Sequence, residues 1–430
     1  MKVLIISLNY EPLNSIGANR VNAFAKQLEQ NNIDYRVISA FAGYHASKDF
    51  KPNTRVTYIS QFDFQRFKRI NFNKYKEQSS FNYKNTTKSK KGILDRFIFQ
   101  LKVFYLSMLY PDPYIGWAVN CMIQKKKLLE DFKPDIIYSS SHPYSAHLVG
   151  YFFQKGSRAK WYAELRDPWV KSHSTGKRKS SFTKLLDKYF SRLLFRRATS
   201  LVTVSEVWKH EMENFYKMPT ILTRNGFVMN NSNRISIGNS YQAFFERSKR
   251  KKIIYTGSIF PENQNLEGFL NSFLKNDYLQ KNFDFIYVGP GGFIINKFLE
   301  KLSYKGDNVF ILDKVSFEIA LKFLEKADFL LLFNWRPENP GDKGVIPGKF
   351  YEYLGANKPI LLWNDNINNE LSDICFYINN MHEKDKILVV NDHDKINSDI
   401  NHFEFDPEIS KIYEFSREFQ FKNLIASFNS

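Results

Sequence analysis

One stretch of the sequence, Lys343 to Trp363, combines a lysine and a glutamate at a spacing that suits a phosphorylated ligand. It runs KGVIPGKFYEYLGANKPILLW, and a proline at position 347 is typical of the first turn of a helix. Lys349 and Glu352 are three residues apart, so both lie on one helix face near the N-terminus. The helix N-terminus and Lys349 favour a diphosphate, and Glu352 can accept hydrogen bonds from the two hydroxyls of a ribose. The alternative is a lysine–glutamate pair on a solvated helix face.

Glycines follow several other strand-like segments, where the backbone can approach a ligand closely. NYEPLNSIGANR places Gly17 before a helix, and YTGSIFPENQN places Gly257 and Ser258 before a helix start near Asn265. YVGPGG places Gly289 after another strand. The first of these loops lacks the GxGxxG fingerprint of a dinucleotide site, and ordinary turns remain an alternative for all three.

Titratable side chains end two strands in the first half of the chain. SSSHPYSAH contains His142, and ELRDPW contains Arg166 and Asp167. These residues could orient a second substrate, whereas His142 could also be a surface histidine and Arg166 with Asp167 a structural ion pair. His142 and His147 do not have a recognisable metal-ligand spacing, and no metal is expected.

The rest of the chain must position these loops. Short apolar strands alternate with helical segments over 1–228 and again over 253–408, which predicts an α/β fold of two domains with mostly parallel sheets. The segment 229–252, rich in Asn and Ser and then basic, is the predicted linker, and a final helix is expected within 409–430. Ligands of open α/β sheets bind beyond the carboxyl ends of the strands, so we expect the site in a cleft between the two domains.

Composition restricts the partners. The net charge of +18, from 62 Lys and Arg against 44 Asp and Glu, implies an anionic partner such as a phosphorylated small molecule, a membrane or a nucleic acid. Two cysteines far apart in sequence favour a reducing compartment. The apolar run at the start is too short for a signal peptide, and no stretch is long enough for a membrane-spanning helix, so we expect a cytoplasmic location.

These motifs together resemble the GT-B retaining glycosyltransferases, specifically the family 4-like group that builds bacterial polysaccharides. The resemblance extends over almost the whole chain, from LNYEPLNSIGANRV through ELRDPW and ILTRNGF to YTGSI and GVIPGKFYEYLGANKPIL. It implies two Rossmann-like domains facing each other across a cleft, with acceptor binding by the first and nucleotide-sugar binding by the second. It also implies transfer with retention, no obligatory metal or other cofactor, and a final helix that crosses back to the first domain.

The resemblance assigns roles by position. Glu352 matches the second glutamate of the family's E-x7-E motif, but Gly344 stands where the first glutamate is expected, and Ser258 and Asn263 stand near the expected arginine and lysine. The catalytic candidates are Asp167, His142, Lys349 and Glu352. The donor-binding candidates are Gly17, Gly257, Ser258, Asn265, Gly289, Arg336, Lys343, Gly344, Val345, Ile346, Pro347, Lys349 and Glu352. The acceptor-binding candidates are Asn19, Arg20, His142, Arg166 and Asp167.

Two basic regions could contact a further partner. Residues 51–102 contain thirteen Lys and Arg interleaved with Phe and Tyr, and a lipid-linked acceptor, which the resemblance implies, favours an anionic membrane there over nucleic acid. Residues 181–198 carry an apolar stripe beside a row of cations, and here a core-facing helix is the favoured interpretation. We therefore expect peripheral attachment to the inner face of the cytoplasmic membrane.

Two other functions remain open at this point. One is a sugar-nucleotide epimerase of the same architecture, which would need no acceptor. The other is a catalytically silent protein that binds a sugar nucleotide or a polyanion, which the departures at Gly344, Ser258 and Asn263 keep possible.

Overall fold

The computed structural model describes residues 1–13, 15–40, 53–60, 109–170, 181–228 and 239–429. Most of the basic region 51–102 therefore lies outside the described residues. The chain forms two compact units. The first contains most residues up to 202, and the second contains Thr203–Phe215 and Ile221–Ser430.

The first sheet has seven strands in the order β3-β2-β1-β4-β5-β6-β7. All pairings from β3 to β6 are parallel. The strands are β1 (Lys2–Ile6), β2 (Asp34–Ala40), β3 (Val56–Ile59), β4 (Ile136–Ser140), β5 (Lys160–Glu164), β6 (Ser200–Thr203) and β7 (Thr220–Leu222).

The second sheet has six parallel strands in the order β10-β9-β8-β11-β12-β13. They are β8 (Lys251–Thr256), β9 (Phe283–Val288), β10 (Val309–Leu312), β11 (Phe329–Phe333), β12 (Ile360–Trp363) and β13 (Ile387–Val390). Alternate residues of β11 enter two separate cores: Leu330 and Leu332 join one, and Phe329, Leu331 and Phe333 join the other. A strand buried on both faces needs apolar residues at successive positions, which explains the sequence FLLLF.

Helices connect the strands, as parallel pairing requires. The described helices of the first sheet's connections are α1 (Ile16–Gln30), α2 (Ile115–Ile123), α3 (Lys125–Leu129), α4 (Ser145–Gln154), α5 (Ser181–Phe195) and α6 (Glu206–Tyr216). Those that follow are α7 (Asn239–Glu246), α8 (Leu266–Lys275), α9 (Asp277–Asn282), α10 (Gly292–Lys301), α11 (Phe317–Glu325), α12 (Gly348–Ala356), α13 (Glu370–Asn380), α14 (Ile396–His402) and α15 (Arg417–Ala426). Short 3₁₀ helices occur at Pro340–Gly344, His393–Lys395 and Ser410–Phe415.

Helix α5 corrects one sequence-based expectation. Most of its apolar stripe, which we expected to face the core, is exposed: Phe182, Leu185, Leu186, Tyr189 and Leu193. The inward face carries Asp187, which accepts a hydrogen bond from the Trp169 indole at 3.0 Å. Periodicity identified the helix but not the face that is buried. Within the described part of the chain, no helix is long and apolar enough to cross a membrane.

Candidate functional site

The predicted donor-binding residues other than Gly17 lie in the second unit, and several meet at the point where the strand order of the second sheet reverses. Strands β8 and β11 are neighbours there, while β9 and β10 continue on one side and β12 and β13 on the other. The loops that leave adjacent strands at such a point diverge and leave a crevice beyond the strand ends. The loop after β8 contains Gly257 and Ser258, and the loop after β11 leads through Arg336 and Pro347 into α12.

Lys349, in the first turn of α12, reaches back across this edge of the sheet. Its Nζ lies 3.3 Å from the Ser258 carbonyl oxygen and 3.7 Å from the centre of the Tyr255 ring. Burial lowers the pKa of Lys349 to about 7, although Glu352 acts in the opposite direction. The ammonium group therefore has little carboxylate compensation, and an anionic ligand at this place would stabilise its charged form.

Glu352 lies one turn further along the same helix. Burial raises the pKa of its carboxyl, while Lys349 and then Arg417 lower it. Arg417 begins α15, and its Nε donates to the carbonyl oxygens of Asn225 and Gly226 at 3.3 and 3.2 Å. Lys349 and Glu352 are both partly buried, so they differ from a lysine–glutamate pair on a fully solvated helix face. No local pattern could have predicted the role of Arg417, because it is 65 residues beyond Glu352 in the chain.

Buried tyrosine hydroxyls hold the loops after β8 and β9 from below. Tyr255 donates to the Ser258 carbonyl oxygen at 2.7 Å, and Tyr287 donates to the Gly257 carbonyl oxygen at 3.0 Å. The hydroxyl of Tyr353, on α12, accepts a hydrogen bond of 3.1 Å from the backbone N–H of Thr256. Satisfied buried hydroxyls of this kind fix the loop backbone in one arrangement.

Glycine is required where these two loops touch. Gly257 has a φ of +94°, which other residues rarely adopt. A Cβ atom at Gly289 would lie 2.3 Å from the Gly257 carbonyl oxygen. The structure therefore brings these two sequence-predicted glycines together, and ordinary turn geometry accounts for part of their role.

Asn265 and Arg336 are engaged with a residue that sequence reasoning missed. The Asn265 side chain caps α8 by accepting from the Gly268 N–H at 3.0 Å, and its Nδ2 donates to Asp365 at 2.8 Å. Arg336 also donates to Asp365, at 2.8 Å, and the His393 ring lies 2.6 Å from the same carboxylate. Asp365 thus links the loops that follow β8, β11, β12 and β13. Its position after a strand was its only signal in the sequence.

Gly344 lies where the family's first motif glutamate is expected, and it is tightly packed. A Cβ atom at this position would be 2.5 Å from the Ser205 hydroxyl and 2.7 Å from the Trp208 indole nitrogen. Trp208 is held by a hydrogen bond to the Gly341 carbonyl oxygen at 2.8 Å. The space beside Gly344 is therefore filled by α6, and Lys343 next to it is exposed.

The remaining predicted residues of this segment complete the start of α12. Val345 is buried, whereas Ile346 and Pro347 are half-buried. Pro347 is the residue just before the helix rather than within its first turn, and its carbonyl oxygen accepts from the Phe350 N–H at 3.0 Å.

A carboxylate near Gly344 was not predicted. Glu370, the first residue of α13, is buried and accepts from the Ser205 hydroxyl and from the backbone N–H groups of Glu206 at 2.8 Å and Val207 at 3.2 Å. It also pairs with Arg224. Glu370 therefore accepts hydrogen bonds from the free backbone N–H groups in the first turn of α6, where the helix dipole favours a negative charge.

In the first sheet the strand order reverses between the parallel strands β1 and β4. The predicted acceptor residues lie in the segments that follow β1, β4 and β5. His142 Nε2 is 3.0 Å from the Tyr144 hydroxyl, and its Nδ1 is 3.5 Å from the Asp167 carboxylate. The Asn9 side chain, from the loop after β1, donates to the His142 carbonyl oxygen at 3.0 Å. The structure thus brings His142 and Asp167 together, both half-buried.

Arg166 and Gly17 are also neighbours in this unit. A Cβ atom at Gly17 would lie 2.8 Å from the Arg166 guanidinium, whose Nε donates to the Ser141 carbonyl oxygen at 2.6 Å. Gly17 therefore makes room for Arg166. Asn19, two residues further along α1, is half-buried.

Arg20 has a structural contact instead of a free side chain. Its guanidinium lies 2.7 Å from the Glu164 carboxylate, and both side chains are buried. Burial alone would raise the pKa of Glu164, but Arg20 and Arg166 lower it below its usual range. The guanidinium of Arg20 thus stabilises the end of β5.

The α/β fold with two Rossmann-like units is as predicted. No family model matches the chain, and no curated protein matches it by sequence. Among solved structures, one similar to this chain is HepE from Anabaena in complex with UDP, with a TM-score of 0.59, 12% identity and 100% of each chain covered. Another is the lipopolysaccharide outer core galactosyltransferase WaaB, with a TM-score of 0.57, 10% identity and 100% and 99% coverage.

An epimerase has the same fold. The UDP-GlcNAc 2-epimerase from Neisseria meningitidis, bound to UDP-GlcNAc, matches with a TM-score of 0.51, 15% identity and 100% and 99% coverage. At these identities the comparisons establish the α/β fold of the GT-B type, and they do not separate transferases from epimerases.

Proposed function

We propose that this protein is a retaining glycosyltransferase. It would move a sugar from a nucleotide-linked donor, with UDP or GDP as the nucleotide, to a lipid-linked or glycan acceptor in the assembly of a cell-surface polysaccharide. The observation that carries the proposal is Lys349, a half-buried cation with a lowered pKa at the start of α12, beside the glycine loop after β8.

The donor site would use three features of the second unit. The N–H groups at the start of α12 and the Lys349 ammonium would bind the diphosphate, because both concentrate positive charge at one point. Glu352, whose carboxylate is half-buried one turn away, would accept hydrogen bonds from the ribose hydroxyls.

In the reaction, the bond between the anomeric carbon and the diphosphate oxygen breaks and a new bond to the acceptor oxygen forms on the same face of the sugar. Lys349 and the helix N-terminus would stabilise negative charge that develops on the departing diphosphate, which takes up the acceptor proton. We assign the orientation of the acceptor hydroxyl to His142 and Asp167, whose side chains lie 3.5 Å apart.

Contacts to the donor sugar must differ from those of the family motif. Gly344 cannot supply a carboxylate, and a larger residue there would collide with Ser205 and Trp208. Backbone groups of the loop from Gly341 to Ile346 would have to hold the sugar.

Nucleotide binding is the first test. We expect UDP or GDP, at 100 times its dissociation constant, to stabilise the protein by about 2.7 kcal/mol in a thermal-shift series that also includes dTDP and CMP. Lys349→Met and Glu352→Gln should abolish the shift, whereas Lys326→Met, which changes an exposed lysine just after α11, should retain it. An unchanged shift in the Lys349 variant would remove the basis of the proposal.

Turnover distinguishes the proposal from its two competitors. A transferase consumes the sugar nucleotide only when membrane-derived acceptor is present, and nuclear magnetic resonance of the product should show the anomeric configuration of the donor. Conversion of the sugar nucleotide without acceptor would identify an epimerase. Binding without any conversion under either condition would identify a sugar-nucleotide-binding protein.

A further inference from the structure

Helix α5 buries Leu194 and Phe195 at its C-terminal end, but most of its other apolar side chains are exposed. Its inward face buries two polar side chains, Asp187 at 1% and Ser191 at 0% exposure. Its outward face exposes Phe182 at 70%, Leu185 at 64% and Tyr189 at 72%. A soluble surface normally shows the opposite distribution, so an apolar face of this extent marks an interaction site.

A row of cations runs beside the exposed apolar residues. Lys184, Lys188 and Arg192 are exposed and follow one another at four-residue spacing, which places them on one side of the helix, and exposed Arg196 comes directly after the last helical residue. The apolar residues 185, 189 and 193 form the adjacent row at the same spacing. The helix has one carboxylate, Asp187, and it is buried. The exposed surface of α5 is thus apolar and purely cationic.

We propose that α5 docks the protein on the surface of an anionic lipid bilayer. The apolar row would enter the boundary between headgroups and acyl chains, and the flanking lysine and arginine side chains would extend to the lipid phosphates. This inference does not depend on the proposed transferase activity. It also places the membrane contact on a different segment from residues 51–102.

The composition of the face favours a bilayer over other partners. A second copy of this chain docked on the same face about a two-fold axis would set one cationic row against another. Single-stranded nucleic acid would need aromatic stacking platforms, but much of the apolar row is leucine, which offers no ring for a base. An anionic bilayer can accept the apolar row in its interior boundary and the cationic row at its phosphates.

The test uses the full-length protein and sedimented vesicles. We expect binding to vesicles of phosphatidylcholine with 30% phosphatidylglycerol, weaker binding as salt increases, and no binding to phosphatidylcholine alone. The variant Leu185→Gln/Tyr189→Gln/Leu193→Gln should lower the partition coefficient at least tenfold, which is about 1.4 kcal/mol, because three apolar side chains no longer favour the boundary between headgroups and acyl chains. All three side chains are exposed, so the fold should be retained.

Two control variants make the assignment specific. Phe376→Gln removes an equally exposed aromatic residue from α13, and it should bind vesicles like the wild type. Lys188→Glu/Arg192→Glu should weaken binding far more than Lys281→Glu/Lys301→Glu, although both pairs change the net charge equally. Each Lys or Arg near the surface contributes about fivefold, from about 1 kcal/mol.

A spectroscopic reporter places the contact directly. Tyr189→Trp should show red-shifted emission in buffer and a blue shift on addition of anionic vesicles, with quenching by brominated lipid. The proposal is overturned if the wild type does not bind, if the triple variant binds equally well, or if the controls lose as much. Blue-shifted emission in buffer would assign the face to another part of this chain or to a second copy, and would equally overturn it.

Discussion

Replacing Gly344 by alanine should destabilise the protein, although glycine-to-alanine changes usually stabilise. The new Cβ would lie 2.5 Å from the Ser205 hydroxyl and 2.7 Å from the Trp208 indole nitrogen, and both residues are buried. Overpacking of this kind costs about 1–3 kcal/mol, and displacing Trp208 from its hydrogen bond to Gly341 costs about 1 kcal/mol more. The reduced entropy of the unfolded chain offsets about 0.4–1 kcal/mol. The net loss should be about 2 kcal/mol.

Hydrogen exchange followed by mass spectrometry can measure this loss locally. Peptides that cover α6 and residues 340–347 should exchange about 30-fold faster in Gly344→Ala, because a factor of ten corresponds to about 1.4 kcal/mol. Gly341→Ala is the matched control, since the nearest atom to its Cβ is a flexible carboxylate oxygen of Glu211 at 3.3 Å. Equal exchange in the two variants would refute the packing argument. It would also reopen the possibility that a carboxylate fits at this motif position.

Three further predictions concern the site and its support. The proposed diphosphate site requires Lys349 in its charged form, and the pKa of Lys349 is about 7, so titration calorimetry should show UDP affinity falling by up to tenfold per pH unit above pH 7, whereas Lys349→Arg, which stays charged, should lack this fall. Arg20→Met should lower the free energy of unfolding by about 3 kcal/mol in urea titrations at pH 7, because buried Glu164 loses its paired guanidinium and retains the weaker interaction with Arg166. The folded-state pKa of Glu164 is depressed, so the stability from the pair is present above its unfolded pKa of about 4.3, and the cost of Arg20→Met should shrink as pH falls below that value. Asn265→Ala should cost about 1 kcal/mol in urea titrations, as expected for loss of a helix cap, and an unchanged midpoint would contradict the capping role.

The repeated alternation of apolar strands and helices was enough to predict the fold class. FLLLF and its neighbours are buried on both faces, which only a covered parallel sheet provides. The buried side of α5 could not be predicted from the sequence. It depends in part on the hydrogen bond from the Trp169 indole to the Asp187 carboxylate, which joins residues outside any local pattern.

Local motifs correctly predicted which residues lie together when those residues are close in sequence on one helix. Lys349 and Glu352 lie together because they are one turn apart on α12, and loop position after β8 placed Ser258 beside them. Arg417 and Asp365 were missed because distant segments bring them in, and no local pattern records such a contact. The resemblance assigned Arg20 to the acceptor, and its contact with buried Glu164 was not predicted because Glu164 is 144 residues away in the chain.

The tyrosines beneath the loop after β8 have a consequence for how this protein could diversify. Tyr255, Tyr287 and Tyr353 hold the loop through its backbone atoms, so its shape is specified by residues in the core. The exposed side chain of Ser258 takes no part in those contacts. Under the proposed function, evolution can exchange that side chain, and with it the preference for a nucleotide sugar, while the loop itself keeps its conformation. A related chain could acquire a new specificity here through a single codon change at little cost to its folding.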